Sequence, residues 1–174
     1  MKKTFLVFTL VLIMGSGLLA GEQKVVIKDV EPLWYAAMGF KGSFNRMEKN
    51  IGVFMQEFFK QGLTSGGPVL GIYYNDPAKD KEEDLKWAVG FPVAGDAKVQ
   101  APLKKVQTKF KKAAVYLHIG PYEEFEQVYA KIFKYISDNG YKVVWPVYDK
   151  YFNNPKEVKP EELKTEIIIP VEKK

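Results

Sequence analysis

The chain contains one histidine, His118, and no cysteine. That inventory removes thiolate nucleophiles, disulfides and thiolate metal sites, and it leaves no histidine set for a zinc centre. It also speaks against a histidine-based catalytic triad. Site chemistry must then come from carboxylates and phenols. Glu166 is the first candidate. It lies in Leu163 to Val171, reading LKTEIIIPV, which has the pattern of a strand. Period-2 alternation puts Thr165, Ile167 and Ile169 on one face and Glu166, Ile168 and Pro170 on the other. A carboxylate in so apolar a setting is either a strand end facing water or an acid aimed into a cleft. In a cleft it would seek a cation or a hydrogen-bond donor.

Aromatic residues are the natural company for such an acid. In Lys112 to His118, Val115 and Leu117 suit a helix-packed face, which turns Tyr116 and His118 towards a groove. Tyr73 and Tyr151 are candidates to line that groove from two sides, with Trp145 and Trp87 as further aromatic candidates. Alternation places Trp87 with the core set. Core packing competes with ligand contact at each aromatic, and His118, just ahead of Gly120, also suits a turn or capping role.

The elements that must hold these residues follow a repeated order. Shifting the chain by 78 positions aligns its halves without a gap: Pro68 falls on Pro146, Tyr73 on Tyr151, Asn75 on Asn153, Leu85 on Leu163 and Pro92 on Pro170. The position matching Glu166 is Ala88, and that matching Ile168 is Gly90. One half therefore offers small residues where the other offers an acid. We read two units, about 24–95 and 100–172, packed as one domain over 21–174.

Each unit is expected to run strand, strand, helix, strand, strand. In the first, strands over 24–30 and 34–40 precede a helix over about 45–60, whose stripe is Met47, Ile51, Phe54, Met55 and Phe58. Strands over 69–74 and 85–93 follow. In the second, strands over 103–109 and 112–118 lead to Gly120-Pro121 and a helix ending at Gly140, with Phe125, Val128, Tyr129, Ile132, Phe133 and Ile136 as its stripe. Strands over 144–152 and 163–171 complete it. The fold class is α+β: two pseudo-symmetric strand–helix–strand–strand modules, a mostly antiparallel sheet, two helices on one face and a central groove.

At 174 residues the chain is long enough for one domain with a substantial core. Its net charge is +5, but Lys2 and Lys3 lie in a segment with the form of a secretory signal, residues 1–20. The remaining lysines are scattered and Arg46 is the single arginine, a poor footprint for nucleic acid. We expect no nucleic-acid partner and no cofactor. We expect a location outside the cytoplasm, with membrane attachment only through residues 1–20 if these stay uncleaved.

The segments HIGPYEEFEQVY, DLKWAVGFPV and YFNNPKEVKPEELKTEIIIPV resemble the GyrI-like small-molecule-binding domain. This is the effector-binding domain of AraC-type and multidrug-sensing MerR-type activators, and the resemblance spans roughly Val25 to Val171. It implies two related modules with a groove between them for bulky, often cationic aromatic molecules, and it matches the family's last-strand acid to Glu166. It also implies a hydrolytic activity in some stand-alone members, for which Glu166 as general base and Tyr116 as polarising group would serve here. Three readings stay open: a small-molecule binder without a DNA-binding domain, which we favour, a hydrolase of reactive small molecules, and a protein-interaction module.

Overall fold

The computed structural model describes residues 24–174. The signal-like segment therefore lies outside the described residues. Nine strands and two helices follow in chain order: β1 Val26–Asp29, β2 Trp34–Lys41, α1 Met47–Lys60, β3 Val69–Tyr73, β4 Lys86–Pro92, β5 Lys104–Gln107, β6 Lys112–Ile119, α2 Phe125–Asp138, β7 Tyr141–Val143, β8 Val147–Tyr151 and β9 Lys164–Lys173. A single 3-10 turn leads into each helix, over Phe44–Arg46 and Tyr122–Glu124. The strand expected over 144–152 is observed as the shorter β8, and β7 is an additional short strand ahead of that span. Pro146 stands between them and has no N–H to give a ladder.

All strand pairs are antiparallel, in the order β1-β6-β9-β8-β3-β4-β2-β5, with β7 beside β9. The order is symmetric about the β8–β3 pair. β1, β2, α1, β3 and β4 begin 78 residues before β5, β6, α2, β8 and β9 respectively. The first strand of each half pairs across the divide: β1 joins β6, and β5 joins β2.

Both helices cover the same sheet face. Phe54 and Phe58 of α1 pack with Ala36, Trp87, Val89 and Phe91. Val128, Ile132 and Ile136 of α2 pack with Ala114, Tyr116, Val147, Ile167 and Ile169. These residues recur at helical spacing on the helices and at alternate positions on the strands, as burial of one stripe against one face requires. Fully burying an aliphatic side chain of this kind stabilises by about 1.5–3 kcal/mol. The opposite face is also apolar. Tyr35, Ala37, Leu70, Ile72, Ala88, Val115, Tyr148 and Ile168 form a cluster there, partly covered by Val30 and Leu33 and by Val106 and Phe110. We call this second face the open face.

Candidate functional site

The most unusual residue of the helix-covered face is Asp149, in the middle of β8. It is 1% exposed. Its cross-strand neighbour is Gly71, the residue 78 positions earlier, so the acid sits at the centre of the pseudo-symmetric sheet. Tyr129 of α2 donates its hydroxyl to Oδ1 at 2.7 Å, and Tyr151 donates to Oδ2 at 3.3 Å. The hydroxyls of Tyr151 and Tyr73 lie 2.8 Å apart, extending the network into the first half. Tyr122 packs edge-on against Tyr151, and Phe44 packs edge-on against Tyr73.

The rings of Tyr73, Tyr122, Tyr129 and Tyr151 are only partly buried. They form a strip in which Tyr129 and Tyr151 turn their hydroxyls to Asp149 and Tyr73 joins through Tyr151, and Tyr73 contacts the cores under both helices. Gly71 makes room for this arrangement. A Cβ there would stand 2.8 Å from the Tyr73 hydroxyl and 3.1 Å from the Tyr151 ring.

No described cation pairs with Asp149. Burial disfavours its charged form and pushes its pKa up to about 7, against the opposing pull of the Tyr129 and Tyr151 hydrogen bonds. Burial in turn pushes the Tyr73, Tyr129 and Tyr151 phenols well above their ordinary range, and the nearby acid adds to this. The result is a carboxyl poised between neutral and charged, with aromatic faces above it. Such a place favours an apolar cation, which can offer both a counter-charge and ring contacts.

Glu166 lies on the open face, as its alternation implies. The cation that it calls for comes from the chain itself: Lys150, its cross-strand partner on β8, reaches Glu166 Oε2 at 2.9 Å. The pair borders a groove of about 420 Å³, lined by Leu70, Val115, Tyr148 and Ile168 and by the loops around Leu33 and Phe110.

The remaining expected site residues are divided by the sheet. Tyr73 and Tyr151 do meet, but on the helix-covered face, not in the open groove with Glu166. Tyr116 and His118 also face α2, which corrects their expected direction. Tyr116 packs with Val128 and Ile132 beneath Lys131, whose ammonium lies 5.2 Å from the ring centre. His118 is buried against Phe125, with Nε2 3.2 Å from the Pro121 carbonyl oxygen and 3.6 Å from Glu124 Oε2. Val115 and Leu117 take the open face instead. Glu166 and Tyr116 therefore sit on opposite sides of β6 and β9 and cannot act together on one substrate atom. Trp87 is core, with its Nε1 donating to the Gly42 carbonyl at 3.1 Å. Trp145 packs at the edge of the α2 core, 6.5 Å from the Phe133 ring.

Asp149 was not among the expected site residues, although a signal for it exists. In the 78-residue alignment it falls on Gly71, the same acid-against-small contrast that singles out Glu166 against Ala88.

A family model described as the GyrI-like small molecule binding domain matches residues 23–172. This chain belongs to the GyrI-like family. Among solved structures, this GyrI-like chain is similar to the EcmrR C-terminal domain, at 23% identity and a TM-score of 0.75, covering 88% of this chain and 99% of that one. In the EcmrR–DNA complex the similarity is 24% with a TM-score of 0.75, over 87% of this chain, which spans only 58% of that longer one. SAV2435 bound to tetraphenylphosphonium is similar at 16% identity and a TM-score of 0.57, covering 86% of this chain and 94% of its own. These likenesses establish the GyrI-like fold. A search of curated proteins gave no match.

Proposed function

We propose that this GyrI-like chain binds bulky apolar cations at the aromatic strip between α1 and α2, with Asp149 as their counter-charge. We further propose that it works outside the cytoplasm, delivered by residues 1–20. One observation carries the ligand class: Asp149 is buried among phenols with no described cation to balance it. A buried carboxylate gains most from a partner that brings positive charge without a tight water shell. The family's small-molecule binding supports the reading, as does a neighbour of the same fold that holds tetraphenylphosphonium.

The test is a calorimetric titration with tetraphenylphosphonium and with neutral triphenylphosphine oxide. The cation should bind and the neutral compound should bind much more weakly. Asp149→Asn should abolish the preference, whereas Glu166→Gln should leave it intact. Because ionised Asp149 favours the cation, affinity should rise as pH climbs through about 7. Equal binding of both compounds by the unaltered chain would sink the charge argument.

A further inference from the structure

The open-face groove is separate from the Asp149 strip, since the full thickness of the sheet divides them. Its volume of about 420 Å³ falls in the range of small-molecule sites. Its body is apolar, made by Leu70, Val115, Tyr148 and Ile168. Its polar end carries one positive and one negative side chain already in contact, Lys150 and Glu166 at 2.9 Å, each about a quarter exposed. The matching positions in the other half are Ile72 and Ala88, and the other charged side chains along the groove, Lys28, Asp29 and Glu31, are exposed to solvent. Nearby Asp29 is engaged by Lys112 at 2.6 Å.

That polarity selects a head group. A purely cationic ligand would take Glu166 and strand Lys150, and a purely anionic one would take Lys150 and strand Glu166. Either exchange gives up the existing pair and leaves one partly solvated charge without its partner, so the single new ion pair yields little net gain. A head with adjacent positive and negative groups avoids both losses. It replaces one ion pair by two, in a square of alternating charge. We propose that the open-face groove is a second ligand site, and that it takes a free α-amino acid with an aromatic or branched side chain. The ammonium would sit on Glu166, the carboxylate on Lys150, and the side chain against Val115 and Ile168.

The experiment follows methyl and amide resonances of the purified chain during titration with L-tryptophan, tryptamine and indole-3-propionate, three ligands with one ring system and different charges. Tryptophan should give saturable shifts at Val115, Lys150 and Ile168. Each singly charged analogue should bind at least about tenfold more weakly. Glu166→Gln and Lys150→Gln should bring tryptophan down to the analogues' level. The exchange variant K150E/E166K keeps an ion pair and should keep binding, which guards against single variants that fail to fold. Tryptamine binding as well as tryptophan, or no saturable shift at millimolar tryptophan, would overturn the proposal. Asp149→Asn, run alongside, should leave the tryptophan shifts unchanged while removing cation selectivity. Loss of both together would mean one shared site and would refute a second one.

Discussion

Asp149 and Glu166 lie on adjacent strands, a few ångströms of backbone apart, yet they live in different electrostatic worlds. Asp149 points under the helices, loses its water, finds only phenols and is held near neutrality at ordinary pH. Glu166 points the other way, keeps part of its water and is matched by Lys150. The difference is one step of strand parity. A strand's alternation decides which solvent an acid meets, and the solvent then decides whether the acid is a reservoir of unbalanced charge or half of a closed pair.

The sharpest way to break this contrast is to delete each acid in turn. Asp149→Ala leaves the Tyr129 and Tyr151 hydroxyls without their acceptor in a dry setting, and should cost about 2–3 kcal/mol in chemical denaturation at pH 6. Next comes Gly71→Ala. Its new Cβ would meet the Tyr73 hydroxyl at 2.8 Å and push the tyrosine network off the acid, at a cost of about 2 kcal/mol. A normal pH dependence of Asp149 in that variant would show that the phenols do not need Gly71.

A third measurement is the pH dependence of stability. The Asp149 carboxyl ionises at about 7 when folded and near about 4 when unfolded, so between those values the folded chain holds a proton the unfolded chain has released. Its contribution must therefore make stability fall as pH rises from about 4 to about 7. Asp149→Asn should remove that decline and gain on the order of 1–2 kcal/mol at pH 8, read by thermal unfolding across the range. A wild-type curve parallel to that of the variant would contradict the buried-acid account. The smallest effect belongs to Glu166→Gln: under about 1 kcal/mol, and weaker in high salt, because the Lys150 pair is partly solvated. A larger loss would place Glu166 in a drier setting than the open face provides.

Much of this architecture is legible in the chain. The helical stripes ending at Lys60 and Asp138 are strongly periodic, and the last strand reads correctly because Glu166 breaks an otherwise apolar run. The failure at β6 has a physical cause. Ala113 to Leu117 is apolar on both faces because both faces are buried over much of the sheet, so alternation shows a period there without telling its sign. The residue left most exposed is Leu117, at 44%, while His118 is buried. A rule that turns polar residues outward therefore chooses the wrong face. Asp149 escaped for a related reason. VYDKY carries two charged residues in a row, and the pattern does not say that Asp149 faces inward and Lys150 outward until the helix above supplies Tyr129.

The crossing of β1 to β6 and of β5 to β2 has a mechanical consequence. Each half lends its opening strand to the other, as in a handshake, so neither can complete its own sheet in isolation. The chain should lose its structure in one cooperative event, and a break in the connection between the halves should yield two fragments that fold only by finding each other.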